Sequence, residues 1–146
     1  MLDAIRWDSD LIHRYDIAGP RYTSYPTAVQ FNSQVGTFDL LHALRDSRKA
    51  LRPLSLYVHV PFCANICYYC ACNKVITKDR GRALPYLQRL EQEIQLVACH
   101  LNPAQKVEQL HLGGGTPTFL NHDELRQLMS CLRQHFNLLD DDSGDY

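Results

Sequence analysis

The sequence lacks the features that mark membrane-bound or nucleic-acid-binding proteins. Its formal net charge is -1 over 146 residues, so no overall positive field favours nucleic acid or an anionic membrane. The longest apolar stretch, residues 54–72, is interrupted by His59, Pro61 and Asn65 and does not resemble a membrane helix. Internal repeats and low-complexity segments are also absent from the sequence.

The sequence does not start like a secreted protein. Asp3, Asp8 and Asp10 interrupt the first residues, and no basic start is followed by an apolar segment. We therefore expect a cytoplasmic location, in which cysteines stay reduced. With 45% hydrophobic and 21% charged residues, the chain is expected to be globular and about one domain long.

Cysteine is distributed very unevenly. Four of the six cysteines lie between Cys63 and Cys72, at Cys63, Cys67, Cys70 and Cys72. Grouped cysteines in a reducing compartment are more often metal ligands or redox groups than structural bridges. The first three have an open spacing, whereas Cys72 would need a strained turn to reach the same cluster. The spacing favours an iron–sulfur cluster with three protein ligands and one open iron.

Two other uses of these thiols stay open at this point. Four thiolates could fill a tetrahedral zinc site, although structural zinc sites usually combine two ligand pairs across a spacer. A redox dithiol of the thioredoxin kind would use Cys67 and Cys70. The cysteines on both sides of that pair, and the absence of a convincing helix start, do not favour it.

The segment before the cysteines predicts a β-strand. Residues 54–60 alternate strictly, with Leu54, Leu56, Val58 and Val60 on one face and Ser55, Tyr57 and His59 on the other. An amphipathic helix follows the cysteines, with its apolar stripe at Leu87, Leu90, Ile94, Val97 and Leu101. A second strand at 107–112 should run parallel to the first, because a helix lies between them.

The second strand leads directly into Gly113-Gly114-Gly115-Thr116. Glycines let a ligand approach the bare backbone, although they could equally serve a tight strand-to-helix turn. The stretch lacks the lysine and the spacing of a P-loop. The carboxyl ends of parallel strands meet at one edge of a sheet. We therefore expect this stretch, the glycine loop (residues 113–116), to lie beside the loop that carries the four cysteines, the cysteine loop (residues 63–74).

Two further helices are predicted outside this βαβ unit. Thr37 is a plausible N-cap for a helix with apolar residues Phe38, Leu40, Leu41 and Leu44, which ends before Pro53. Asn121 and Glu124 form a capping box before a helix with apolar residues Leu125, Leu128, Met129, Leu132 and Phe136. We expect an α/β fold with an N-terminal arm and helix at 1–53. Residues 54–146 would form the first βα units of a larger closed or doubly covered sheet, and the chain would end before a third strand.

Four sequence segments together carry a resemblance to a known family. Cys63-x3-Cys67-x2-Cys70 resembles the signature of radical S-adenosylmethionine (SAM) enzymes. The wider segments resemble bacterial oxygen-independent coproporphyrinogen III oxidases, and they are Pro20–Thr27, Tyr57–Cys63, Cys70–Lys74 and His111–Thr118. Related haem-chaperone-like proteins usually carry Phe at the position of Cys72.

The resemblance implies a partial TIM-type barrel of the radical SAM kind. It also implies a [4Fe-4S] cluster bound by Cys63, Cys67 and Cys70, and SAM on the open iron. Cofactor contacts are implied at Tyr57, Tyr69, Gly114, Gly115 and Thr116, although Tyr69 stands where the family usually has Phe. As alternatives, Tyr57 could be a packed strand aromatic, Thr116 a turn former and Cys72 a spare thiol.

The implied activity is the oxidative decarboxylation of coproporphyrinogen III to protoporphyrinogen IX by a 5′-deoxyadenosyl radical. An electron donor would reduce the cluster, and the protein is expected to be a monomer without nucleic-acid or membrane partners. The sequence identifies no further catalytic residue. A haem chaperone or a non-catalytic metal-binding module is the alternative. Residues 1–146 alone are expected to be inactive, and the segment Arg21–Thr27 is either a surface arm or a substrate gate.

Overall fold

The computed structural model describes residues 7–17 and 27–139. The helices are α1 (Ser9–Tyr15), α2 (Thr37–Ala50), α3 (Ala83–Ala98) and α4 (His122–His135). The strands are β1 (Leu54–Val60), β2 (Phe62–Cys63), β3 (Val75–Ile76), β4 (Lys106–Gly114) and β5 (Asn137–Leu138). Short 3-10 turns lie at Ala28–Gln30, Arg80–Arg82 and Pro117–Phe119. The chain divides into two units, Met1–Val35 and Gly36–Tyr146.

The second unit contains a parallel sheet in the order β1-β4-β5. The parallel pairing of β1 with β4 confirms the predicted βαβ unit, in which α3 is the crossover helix. The prediction that the chain ends before a third strand is wrong, because Asn137 and Leu138 pair with Lys106 and Val107. This strand has two residues, too few to produce a periodic pattern in the sequence.

The alternation predicted for β1 is present in the fold. Val58 and Val60 are buried, whereas Ser55 and Tyr57 on the opposite face are exposed. The helices α3 and α4 cover the apolar face of the sheet with a shared core. Its largest fully buried hydrophobic side chains are Leu87, Leu128, Leu132, Val60 and Val107. The predicted stripe of α4 faces this core, as do Leu87, Leu90 and Ile94 of the α3 stripe. Leu101, the last residue of the predicted α3 stripe, lies beyond the end of the helix at Ala98.

Helix α4 begins as its sequence predicts. The Asn121 side chain accepts hydrogen bonds from the backbone N–H groups of Asp123 and Glu124, both at 2.9 Å. The Glu124 carboxylate accepts in turn from the Asn121 N–H at 2.8 Å. These bonds satisfy donors that a helix start otherwise leaves without partners.

Helix α2 begins one residue earlier than predicted. Gly36, not Thr37, is the N-cap residue, and its N–H donates to the Asp39 carboxylate at 2.8 Å. A side chain in the first turn thus performs the capping, which explains why a residue without a side chain can occupy this position. Phe38 and Leu40 are mostly exposed. The apolar residues of α2 therefore recur at helical spacing without being buried.

The buried side chain of Gln105 anchors the C-terminal end of α2. Its amide nitrogen donates to the carbonyl oxygens of Ser47 and Arg52, at 3.2 and 2.8 Å. Its amide oxygen accepts from the Asn102 N–H at 2.8 Å. Leu51, at the helix end, has a left-handed backbone with φ 48°. A buried amide needs such partners to offset its loss of water.

The first unit contains α1, whose N-cap Asp8 accepts from the Leu11 N–H at 2.9 Å. Residues 21–26 of the predicted arm lie outside the described residues, as does the acidic segment 140–146. Among the described residues, no helix has both the length and the apolar character needed to cross a membrane.

Replacing Leu128 by Ala should lower the free energy of unfolding by about 2–5 kcal/mol, because Leu128 is fully buried and its removal leaves a cavity. Chemical denaturation followed by circular dichroism measures this change. Leu96→Ala is the matched control, since Leu96 lies on α3 with 69% of its surface exposed. Equal effects of the two substitutions would contradict the described core.

Candidate cluster and cofactor site

The cysteine loop and the glycine loop lie side by side at one edge of the sheet. The register of β1 and β4 pairs Val60 with Gly114, so both strands end at the same level. The Gly115 N–H donates to the Val60 carbonyl at 2.7 Å, and the Thr116 N–H donates to the Phe62 carbonyl at 2.8 Å. This arrangement confirms the prediction that the two loops are neighbours.

A short pair of strands closes the base of the cysteine loop. The Val75 N–H donates to the Pro61 carbonyl at 2.8 Å, and the Thr77 N–H donates to the Cys63 carbonyl at 2.9 Å. The two ends of the segment 64–74 therefore lie next to each other. The sequence did not predict β2 and β3, because each has only two residues.

The four cysteines of the loop differ in exposure. Cys63 and Cys70 are half-buried, Cys67 and Cys72 are exposed, and all four are free thiols. A turn joins two of them, since the Cys70 N–H donates to the Cys67 carbonyl at 3.2 Å. The donor set therefore consists of unpaired sulfurs on one loop, which suits the chemistry of an iron–sulfur cluster.

Among residues 7–17 and 27–139, no three His, Cys, Asp or Glu side chains converge as a group that could hold a metal ion. This finding gives no support to a tetrahedral zinc site, in which all ligands must reach one ion. Cysteines that bind a cubane attach to separate irons and need not converge on one point. The donor chemistry therefore still fits a cluster.

The clearest contact between the two loops joins Thr116 and Cys63. The Thr116 hydroxyl donates to the Cys63 sulfur at 3.6 Å. A Cβ atom placed on Gly115 would lie 2.9 Å from the same sulfur and 2.6 Å from the Phe62 carbonyl oxygen. Gly115 thus permits the glycine loop to pass directly against the first cysteine.

The other two glycines accommodate side chains from the polar face of the sheet. A Cβ atom on Gly113 would lie 2.7 Å from the Tyr57 ring. One on Gly114, which has φ +100°, would lie 2.7 Å from the His59 ring. The bare backbone that was predicted to receive a ligand is therefore also required for close packing within the protein.

The polar face of the sheet carries a small cluster of aromatic side chains. The Tyr57 hydroxyl lies 3.2 Å from His59 Nδ1. The Tyr57 ring stacks on His111 with a centroid distance of 5.7 Å. Tyr57 is still 59% exposed, so a large part of its side chain remains accessible.

His59 is a site residue that the sequence did not single out. Its Nε2 atom lies 2.7 Å from the carbonyl oxygen of Asn73, at the far end of the cysteine loop. The strand pattern placed His59 on the same face as Tyr57. The partner fourteen residues away follows only from the folded path of the loop.

Tyr69 occupies a different environment from the other predicted cofactor residues. It is 90% exposed, next to the fully exposed Tyr68. Gly115 and Thr116 thus lie against Cys63, and Gly114 lies against His59 of β1. Tyr57 is on β1 itself. Tyr69, in contrast, lies on the solvent side of the cysteine loop.

No protein-family model matches the chain, but several curated proteins are closely similar to it. It is 75% identical over all 146 residues to an oxygen-independent coproporphyrinogen III oxidase of Pseudomonas aeruginosa, of which it spans 32%. The corresponding protein of Escherichia coli is 49% identical over 132 residues, or 90% of this chain and 28% of that protein. The chain thus spans about a third of the length of these relatives.

A further relative is matched over nearly its whole length, and a solved structure is also similar to this chain. A Mannheimia haemolytica oxygen-independent coproporphyrinogen III oxidase is 48% identical over 140 residues, which are 96% of this chain and 94% of that protein. A solved structure of the Escherichia coli coproporphyrinogen III oxidase, described as a radical SAM enzyme, matches with a TM-score of 0.75 and 46% identity. That match covers 92% of this chain and 29% of the other. By sequence and by fold, the chain belongs to the oxygen-independent coproporphyrinogen III oxidase family.

Proposed function

We propose that the protein carrying this chain converts coproporphyrinogen III to protoporphyrinogen IX without oxygen, by oxidative decarboxylation of two propionate side chains. Family membership supports the reaction class. The observation that carries the proposal is the contact between Thr116 and Cys63, at 3.6 Å. The Thr116 hydroxyl and the Gly115 backbone both lie beside Cys63, the first cysteine of the motif that resembles the radical SAM signature.

Cys63, Cys67 and Cys70 would hold a [4Fe-4S] cluster in this protein. Their sulfurs are unpaired and lie on a loop whose two ends are tied together by β2 and β3. Such a base limits how far the ligands can separate, and so lowers the conformational entropy lost when they bind. Cys72 is exposed on the same loop and is not part of the proposed ligand set.

Gly114, Gly115 and Thr116 would form the wall of the site that receives SAM. The Thr116 hydroxyl is exposed enough to exchange its bond to sulfur for a bond to a carboxylate or ammonium group. Tyr57 would contribute its exposed hydroxyl from β1, and Tyr69 would approach from the solvent side of the loop. Together the cluster and SAM, when bound, supply a carbon-centred radical that can remove a hydrogen atom from the substrate.

Residues 1–53 would form an arm and helix before a barrel that starts at residue 54. An electron donor must reduce the cluster before each reaction, and free thiols on an exposed loop suit a reducing compartment such as the cytoplasm. The protein would act as a monomer on a small-molecule substrate.

Anaerobic reconstitution of the complete protein should incorporate about four irons and four sulfides per chain, as expected for one cubane. Cys63→Ser, Cys67→Ser and Cys70→Ser should each lose most of this iron, because a ligand is removed. Cys72→Ser is the matched control and should retain it. Loss of iron in Cys72→Ser together with retention in Cys70→Ser would contradict the proposed ligands.

Gly115→Ala should lower the free energy of unfolding by about 1–3 kcal/mol and reduce the incorporated iron, because a new Cβ atom would crowd Phe62 and Cys63. Chemical denaturation and iron analysis measure the two effects. Gly36→Ala is the control, since the nearest atom to its new Cβ is 4.0 Å away. An unchanged Gly115→Ala protein would mean that the two loops are not in contact.

The complete protein, reduced and supplied with SAM, should release carbon dioxide and form protoporphyrinogen IX from coproporphyrinogen III under anaerobic conditions. Residues 1–146 alone should form no product, since they contain only the first strands of the proposed barrel. Fluorescence of the oxidised porphyrins, after chromatography, measures both. The opposite outcome is a complete protein that holds cluster and SAM, forms no product, and binds haem tightly in a spectroscopic titration. That result would contradict the proposed oxidase activity and favour a haem carrier.

A further inference from the structure

Tyr86, on helix α3, contacts the segment that leads from β1 into the cysteine loop. Its hydroxyl donates a hydrogen bond to the carbonyl oxygen of His59. Its ring packs against Phe62 in a nearly perpendicular arrangement, with a centroid distance of 5.5 Å and an interplanar angle of 89°. Tyr86 lies twenty-three residues after Cys63 in the sequence, and only the packing of α3 against the sheet brings it here.

Phe62 transmits this contact to both loops. It is buried, immediately precedes Cys63, and its carbonyl accepts from the Thr116 N–H at 2.8 Å. The Phe62 ring also stacks on Phe119 at a centroid distance of 4.9 Å. Phe119 belongs to the turn that follows the glycine loop. A row of three rings, Tyr86, Phe62 and Phe119, therefore connects α3, the first cysteine and the glycine loop.

The Tyr86 hydroxyl donates to the His59 carbonyl, which is not hydrogen-bonded to β4. The Val60 carbonyl accepts from Gly115, towards β4, and successive carbonyls of a strand point in opposite directions. The His59 carbonyl therefore points away from β4, towards α3. A hydroxyl there fixes the end of β1 at the residue where Pro61 turns the chain into the cysteine loop.

The hydroxyl remains a donor over the neutral pH range. Burial raises the pKa of Tyr86, and the nearby Glu93 and Tyr57 raise it further. A phenol with a raised pKa stays protonated well above neutrality, so its bond to a carbonyl oxygen persists under ordinary conditions.

We propose that Tyr86 is a positioning residue, which holds the segment from His59 to Cys63 against the glycine loop and so sets the place of SAM relative to the cluster. This inference rests on the proposed function, in which Cys63 binds the cluster and Thr116 lies in the SAM site. Tyr86 acts through Phe62 and the His59 carbonyl.

Tyr86→Phe in the complete protein tests this role, because it removes the hydroxyl and keeps the ring. Iron and sulfide contents should stay near those of the unchanged protein. The dissociation constant for SAM should rise about two- to tenfold, the range expected for the loss of one net hydrogen bond. The change that SAM causes in the electron paramagnetic resonance spectrum of the reduced cluster should also become smaller. Tyr15→Phe is the control, since Tyr15 is 67% exposed on α1.

A second variant, Phe119→Leu, removes the other ring that packs on Phe62 and should also weaken SAM binding while iron is retained. It serves as the test if Tyr86→Phe does not fold, as judged by circular dichroism. Unchanged SAM affinity and spectra in a folded variant that holds the cluster would overturn the inference. Failure of the unchanged protein to bind iron or SAM would contradict the proposed function instead, so the two failures are distinguishable.

Discussion

The parallel pairing of β1 with β4 is the interaction on which the candidate site depends. It brings two loops to the same edge of the sheet although they are about fifty residues apart in the sequence. Backbone bonds from Gly115 and Thr116 to Val60 and Phe62 then continue the sheet into the loops. Two main-chain hydrogen bonds therefore hold the starts of the two loops next to each other.

The three glycines illustrate why a motif can be necessary for more than one reason. Each of Gly113, Gly114 and Gly115 faces a different neighbour, namely the ring of Tyr57, the ring of His59, and the backbone and sulfur at the start of the cysteine loop. A ligand that uses this backbone would share it with contacts that already hold the site together. Substitution of these glycines would consequently affect folding together with the proposed cofactor binding.

Sequence patterns were reliable where an element was long and had one buried face. The alternation at 54–60, the stripes of α3 and α4, and the capping box of Asn121 all appear in the fold. They failed at two-residue strands such as β5, whose existence depends on long-range pairing. They also misplaced the N-cap of α2, because the Asp39 carboxylate caps the helix from within its first turn.

The family and the candidate ligands could be identified from the linear chain, because cysteine spacing and short motifs are properties of the sequence. It also determined which face of β1 carries Tyr57 and His59, since side chains alternate along any strand. The contacts of His59 with Asn73 and of Tyr86 with the His59 carbonyl became visible in the fold alone. Those contacts join residues on separate elements, and their proximity results from packing between elements, which no local pattern encodes.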